Sequence, residues 1–353
     1  MRPLSATEAI SPAWQHTRNL FALRSWRTVL KIGLVAFCAN LGSGFNGNFR
    51  NSHMHNLPGM TPEFAGTMVL VVIVMALFSL ALSALFFYLA SRFQFVMFEI
   101  VLRSDTKVAP IWNRYGAATW RWIGLKLLFL LCALVLLLPI LIPLGITIFH
   151  LVKDPDFHPH FWPILKMFLG FILAFLAFGL VISAAYRLLY DFGLPSMALE
   201  GTPLSETVRR VFRLIAAEPG PVFLYLLIYF LLGIVIAIAY LIALALTIVI
   251  ALIPLGALGA GLWFGLHNAG VLGYVIIGVG AAILGVILLA VIIVAILIML
   301  AYIVTFKQAF ALYFLGGRYP LLGSYLEPQP PTPIYEQPIY PPPPQPTFEP
   351  PLP

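Results

Sequence analysis

Charged side chains are scarce in this sequence. Only 9% of its 353 residues are Asp, Glu, Lys or Arg, whereas 61% are apolar. Soluble domains contain about a quarter charged residues and about half apolar residues. So few charged groups could not cover the surface of a water-soluble globule of this size. The composition therefore excludes a soluble protein and indicates one that lies in a membrane.

Cysteine is scarcer still. Cys38 and Cys132 are the two cysteines, and each lies within an apolar run. They are typical of small buried hydrophobic residues and form neither a disulfide framework nor a metal-ligand pattern. The N-terminal region also lacks the apolar core of a cleavable signal, and Phe37 stands where a lipoprotein signal needs a small residue. We therefore expect the N-terminus to be retained.

Catalytic and ion-coupling signatures are missing as well. The chain contains no HExxH, no Gly-x-Ser-x-Gly and no phosphate-binding loop, and no charged residue stands in the centre of an apolar run. A charge inside the bilayer costs at least ~2.5 kcal/mol and is kept only for a purpose. This weighs against a pump or a proton-coupled carrier, but it permits a passive or lipid-handling carrier. Arg187, Tyr190 and Asp191 cluster at the end of an apolar run, where we expect them to anchor a helix at the membrane interface.

Long apolar runs dominate what is present. A transmembrane helix needs about 20 apolar residues, and five runs reach that length: 64–90, 123–152, 161–186, 222–253 and 271–306. A sixth run, 29–41, contains Lys31 and approaches spanning length when 42–45 are added; a re-entrant or surface helix is the alternative. The sequence thus predicts an all-α, polytopic membrane protein with about six transmembrane helices in a domain over residues 29–320, preceded by a cytoplasmic segment, 1–28.

The basic residues are distributed unequally between the connections. Of the 20 Lys and Arg residues, all but Arg50, Lys153 and Lys166 fall on one side of the predicted threading. The connections on the other side, 46–63, 153–160 and 254–270, are rich in Gly, Asn, His and Pro. Basic residues near helix ends mark the cytoplasmic side. We therefore predict a multi-pass protein of the cell membrane with both termini in the cytoplasm.

Amphipathic segments recur on the basic side, near 92–122 and 203–218. The chain therefore reads as three units, each an amphipathic segment followed by a helix pair. We expect these segments to lie on the inner membrane surface and to bind lipids rather than nucleic acid; ordinary connecting helices are the alternative. The candidate lipid-contacting residues are Lys107, Arg114, Arg121, Arg209, Arg210 and Arg213.

Histidine is concentrated in the outer connections. His53 with His55 and His158 with His160 form two His-x-His pairs. Imidazole is a common ligand of transition metals, so these four residues are a candidate metal site. The alternative is that they are polar loop residues at the level of the lipid headgroups.

The C-terminal residues 321–353 form a proline-rich tail. Pro-Ile-Tyr occurs at 333–335 and again at 338–340, followed by four consecutive prolines. Such a segment cannot form a packed core, so we predict that it is disordered or extended as polyproline II. Extended proline segments dock in aromatic grooves of partner proteins, which makes Tyr335 and Tyr340 candidate docking residues for a cytoplasmic partner. A plain spacer is the alternative.

Several stretches resemble a known group of sequences. Residues 26–34 (WRTVLKIGL), 42–49 (GSGFNGNF) and 93–99 (FQFVMFE) are similar to those of a family of uncharacterised prokaryotic polytopic membrane proteins. This resemblance implies a six-span helical domain and no known activity. A more distant similarity is to the membrane domain attached to some glycerophosphodiester phosphodiesterases, although no catalytic hydrolase domain accompanies it here.

Three functions remain open from the sequence. The first is a non-enzymatic scaffold or accessory protein that contacts lipid and docks partners through its tail. The second is a permease or flippase-like carrier of an apolar or lipidic substrate, and the third is a metal-dependent enzyme at the outer face. A continuous polar groove would favour the carrier. Converging histidines would favour the enzyme, and a closed apolar bundle would favour the scaffold.

Overall fold

The structure is a computed structural model that describes residues 2–22, 24–41, 62–153 and 161–327. Every regular element in these ranges is helical, as the sequence predicts. The helices are α1 (Ile10–Ala22), α2 (Trp26–Asn40), α3 (Pro62–Arg103), α4 (Val108–Arg114), α5 (Gly116–Lys153), α6 (Phe161–Leu188), α7 (Leu194–Leu199), α8 (Leu204–Ala217), α9 (Pro219–Leu266), α10 (Gly270–Gly316) and α11 (Pro320–Leu326), and a π-helical turn (Leu189–Gly193) joins α6 to α7.

Five segments are long and apolar enough to cross a membrane. They are Met68–Arg103, Gly116–Phe149, Leu165–Leu199, Pro219–Leu266 and Gly270–Gly316. Most of their large apolar side chains are exposed, which in water would be costly and in a bilayer is the normal state of a lipid-facing residue. The chain is therefore a multi-pass membrane protein.

The buried core lies at one end of these long helices. The last turns of α3, α6 and α10 and the first turns of α5 and α9 converge there and pack with α1, α2, α4, α7, α8 and α11. We call this assembly the cap. Its largest fully buried side chains include Trp122, Tyr225, Phe95, Phe98, Phe310 and Phe314. Because a 48-residue helix such as α9 is about 70 Å long and the hydrocarbon core is about 30 Å thick, the long helices can traverse the bilayer and still build the cap.

The two ends of the described chain meet in the cap. The Arg318 guanidinium donates a hydrogen bond of 3.0 Å to the carbonyl oxygen of Leu4. The Trp14 ring packs edge-on against Phe306, with 5.9 Å between ring centroids. Gly317 lies so close to the backbone of Arg2 that a Cβ atom there would be 2.3 Å from the Arg2 carbonyl oxygen. The N-terminal residues and the end of α10 therefore lie on the same side of the membrane-spanning helices.

The first predicted span is not among the five long segments. Helix α2 has 15 residues and is about 22 Å long, which is short of the bilayer core. It packs against α3 and α10, and Ile32, Val35 and Ala36 are buried there. Residues 42–45, which were expected to complete the span, lie outside the described residues.

Other boundaries differ from the sequence prediction. The predicted outer connection 254–270 is helical over most of its length, because α9 continues through Pro254 to Leu266. Its glycines stand among apolar residues without the polar groups that would favour a loop. The segment near 92–122 is divided among the end of α3, all of α4 and the start of α5, and Phe95–Phe98 in it are buried in the cap. The first residues of the predicted tail form α11, while 328–353 lie outside the described part.

A polar site where the spans enter the cap

A buried ion pair marks the end of α6. The Arg187 Nε lies 2.6 Å from the Asp191 Oδ2, and the carboxylate side chain is 1% exposed. The Tyr225 hydroxyl, from α9, donates a 2.5 Å hydrogen bond to the same oxygen. Asp191 stands within the π-helical turn, a local widening that is frequent at functional sites. The turn therefore places this carboxylate between an arginine on its own helix and a tyrosine on another.

Aromatic rings surround the pair. The Arg187 guanidinium lies 4.1 Å from the centroid of the Tyr229 ring and 5.2 Å from that of Tyr190. On the other side of the carboxylate, the Tyr225 ring stacks on Phe314 at 4.6 Å between centroids. A cation gains electrostatic attraction from a ring face, most of all away from water. The rings thus stabilise Arg187 in a place that water reaches poorly.

A cavity of about 330 Å³ opens beside Arg187. Helices α2, α3, α6, α9 and α10 and the π-helical turn all contribute to its wall. The lining side chains are Ala39, Asn40, Gln94, Ser183, Tyr186, Arg187, Tyr190, Tyr229, Leu300, Ile303, Val304, Lys307 and Gln308. Most of these side chains are polar or aromatic, although the helices that carry them are apolar over most of their length. We call this space the interfacial cavity.

Lys307 brings a second cation to the interfacial cavity. Its Nζ lies 5.3 Å from the centroid of the Tyr229 ring, so Arg187 and Lys307 face the same aromatic ring. No carboxylate lines the cavity. Asp191 contacts Arg187 but is not itself part of the cavity wall. Lys307 forms no ion pair within the described residues. The wall of the cavity is therefore positively charged.

A chain of hydrogen bonds supports the base of the interfacial cavity. The indole Nε1 of Trp122 donates to the Gln94 Oε1 at 2.7 Å, and the Gln94 Nε2 donates to the Ala39 carbonyl oxygen at 3.2 Å. Both Trp122 and Gln94 are buried. One turn further along α5, the buried Lys126 donates to the Ser91 hydroxyl at 2.9 Å. These bonds fix α2, α3 and α5 to one another, so the amide of Gln94 has a set orientation.

A second polar cluster lies deeper in the cap around Glu99. Its buried carboxylate accepts a hydrogen bond from Arg114 at 2.5 Å and one from the Tyr115 hydroxyl at 2.5 Å, and Arg103 lies 3.1 Å away. Burial, together with the hydrogen bond to Glu99, raises the pKa of Tyr115 above its usual value. The cluster joins α3 to α4 and to the start of α5.

The six candidate lipid-contacting residues divide into two groups. All but Arg210 are exposed on the cap surface. The side chains of Lys107, Arg209 and Arg213 form no hydrogen bond or ion pair with the described residues. The other three make contacts within the chain. Arg114 binds Glu99, Arg121 donates to the carbonyl of Gly201, and Arg210 forms ion pairs of 2.6 Å with Glu200 and Glu206.

Glu200 connects α8 to the end of α10. Besides its ion pair with Arg210, it accepts a 2.5 Å hydrogen bond from the Tyr319 hydroxyl. The Tyr319 hydroxyl, and then Arg210, lower the pKa of Glu200. The carboxylate therefore stays ionised in the folded protein to a lower pH than a free glutamate would, and Arg210 remains held on the cap.

The histidine pairs and the docking tyrosines lie outside the described residues. These are His53, His55, His158 and His160, and Tyr335 and Tyr340. Within the described ranges, no group of three or more His, Cys, Asp or Glu residues could hold a metal ion. His267, at the end of α9, has its Nδ1 3.1 Å from the Trp263 carbonyl oxygen. The transition-metal site therefore stays a prediction from sequence.

Sequence reasoning identified Arg187, Tyr190 and Asp191 as a cluster but missed their neighbours. Gln94, Tyr229, Lys307 and Gln308 come from three other helices. A signal was present, because Gln94 and Lys307 each follow an apolar run at its basic end. Polar residues at that level of several helices are expected to meet when the helices pack.

Comparison with known proteins assigns the chain to a family but gives it no activity. A model described as a family of unknown function (DUF7544) matches residues 4–325, and the chain belongs to that family. No curated protein and no solved structure matches. The family match agrees with the predicted resemblance to uncharacterised proteins, and nothing found supports the similarity to the membrane domain of glycerophosphodiester phosphodiesterases.

Proposed function

We propose that this member of a family of unknown function is a non-enzymatic scaffold or accessory protein of the cell membrane, which holds lipid at the level of its cap. The observation that carries this proposal is the separation of polar and apolar groups. In α9 and in α10 up to Phe306 no residue is charged, whereas the buried ion pairs and the interfacial cavity stand where the helices enter the cap. A pathway for a polar substrate through the bilayer would need polar groups along the spans as well.

The distribution of charge and the meeting of the chain ends support the proposed orientation. Both ends of the described chain lie in the cap, and the basic residues gather there, so the positive-inside rule supports a cytoplasmic cap. Helix α2 packs in the cap, while α3 reaches the cap from the opposite end of the bundle. The sixth crossing, which the sequence predicts over 29–45, stays a prediction, and we propose that both termini lie in the cytoplasm.

Thiol labelling tests this orientation. In a background without Cys38 and Cys132, we expect cysteines at Gly47 and Asp156 to react with a membrane-impermeant reagent in intact cells. A cysteine at Ser205, at the start of α8, should react only after the membrane is permeabilised. Because all three positions are compared in one background, reaction at Ser205 alone in intact cells would show that the orientation is inverted.

A lipid-transfer assay separates the scaffold from the carrier. We expect vesicles that contain the purified full-length protein to move a fluorescent phospholipid between leaflets at the rate of protein-free vesicles, because α9, and α10 up to Phe306, offer no charged side chain to a lipid headgroup. The measurement is the fraction of fluorophore that a membrane-impermeant reductant quenches over time. Acceleration of about tenfold or more over protein-free vesicles would favour the flippase-like carrier instead.

The cap surface and the tail supply the contacts of the proposed scaffold. On α8, Arg209, Phe212 and Arg213 are exposed together, and an apolar ring beside cations suits the boundary between acyl chains and headgroups. We extend the proposal to the proline-rich tail. Its Tyr335 and Tyr340 would bind in an aromatic groove of a cytoplasmic partner protein.

A further inference from the structure

We propose that the interfacial cavity binds a phosphate-bearing anion, and that Lys307 and Arg187 hold the phosphate. This inference rests on the proposed function in placing the cap at the cytoplasmic headgroup level of the bilayer. The same chemistry is found in anionic phospholipid headgroups and in free phosphate. The position of the cavity between lipid-facing spans favours the lipid.

The charge balance of the cavity points to an anionic ligand. Arg187 has a carboxylate partner in Asp191, but no described carboxylate forms an ion pair with Lys307. Asp191 also attracts Lys307 electrostatically, but this carboxylate is already paired with Arg187. Two cations therefore share one negative charge, which is unfavourable where water is scarce. A phosphate beside Lys307 would supply the missing negative charge, and the free donors of the Arg187 guanidinium are suited to a tetrahedral oxyanion.

The neutral side chains of the cavity complete a headgroup site. Two amides, Gln94 and Gln308, and two phenols, Tyr190 and Tyr229, line it together with the cations. Such groups could hydrogen-bond the glycerol and ester oxygens of a lipid. A volume of about 330 Å³ lies at the small end of the range of ligand pockets, which fits a headgroup and not a whole lipid.

The rim of the cavity is open, so the acyl chains of a bound lipid can extend from it into the bilayer. Asn40 and Ser183 at the rim are exposed, so the cavity is not sealed. Leu300, Ile303 and Val304 form its apolar side on α10 and continue into the lipid-exposed part of that helix. Basic pockets between helices at the cytoplasmic face are a recognised form of anionic-lipid site. The arrangement thus holds the phosphate in the cavity and leaves the chains in the bilayer.

Titration of the detergent-solubilised full-length protein with short-chain lipids tests the inference. We expect dioctanoyl phosphatidylglycerol to bind about tenfold or more tightly than dioctanoyl phosphatidylcholine, as measured by calorimetry. Lys307→Gln should remove this preference, because it deletes the unpaired charge, whereas Lys307→Arg should retain it. Arg18→Gln is the matched control, since it removes an exposed cation of α1, a helix that does not line the cavity, and it should bind like the unaltered protein.

Competition with inorganic phosphate identifies the source of the anion. If millimolar phosphate displaces the anionic lipid, the site takes the free ion; if phosphatidylglycerol remains bound, the site needs the lipid. Equal binding of the two lipids, or full preference in a monodisperse Lys307→Gln protein, would overturn the inference. Because the lipid-transfer assay does not depend on this preference, failure here would leave the scaffold proposal standing.

Discussion

Replacement of Asp191 by alanine is expected to lower the free energy of unfolding by about 3–5 kcal/mol, because it leaves a buried arginine without its carboxylate. Arg187 lies only 2.6 Å from Asp191, and the Tyr225 hydroxyl would lose its acceptor at the same time. Chemical denaturation of the purified protein in mixed micelles, followed by circular dichroism, measures this loss.

Two further variants separate charge from packing at this pair. Tyr225→Phe removes one hydrogen bond and leaves the ion pair intact, so it should cost only about 1–3 kcal/mol. The double variant Arg187→Met with Asp191→Leu removes both charges and should recover most of the stability lost in Asp191→Ala, since apolar replacements of a buried pair are often neutral. A double variant as unstable as Asp191→Ala would show that the ion pair is not the source of the effect.

Hydropathy predicted the membrane-spanning helices because each long helix is apolar over more than the thickness of a bilayer. The five segments found to be long and apolar enough correspond to the five runs of spanning length, from 64–90 to 271–306. Helix ends were less predictable. Glycines at 256, 259, 261 and 265 suggested a loop after the fifth span, but α9 includes all four, because an apolar glycine-containing run can remain helical in a membrane.

The interfacial cavity could not be predicted, because its residues are far apart in the sequence. Asn40, Gln94, Arg187 and Lys307 come from four helices, and a single sequence does not reveal which helices become neighbours. The π-helical turn has no distinct composition either, yet it sets the position of Asp191. Charge patterning likewise identified Arg114 and Arg210 as basic residues of the inner face without revealing the acidic partners Glu99 and Glu200.

Gly33→Ala is the second substitution for which a large loss is expected, about 3 kcal/mol of unfolding free energy. A Cβ atom at Gly33 would lie 2.2 Å from the carbonyl oxygen of Leu297 and 2.7 Å from its carbonyl carbon. These atoms belong to the backbone of α10 and cannot rotate away as a flexible side chain could, so α2 would have to move. Denaturation in mixed micelles measures the effect.

The same substitution at Gly145 provides the control. A Cβ atom there would meet nothing within 4 Å, so Gly145→Ala should be neutral or stabilising by about 0.5–1 kcal/mol, as expected when alanine replaces glycine in a helix. Helix α2 also lines the interfacial cavity through Ala39 and Asn40. A shift of α2 should therefore weaken anionic-lipid binding in Gly33→Ala but not in Gly145→Ala. Equal stability of the two variants would contradict the close approach of α2 to α10, and with it the wall that α2 gives the cavity.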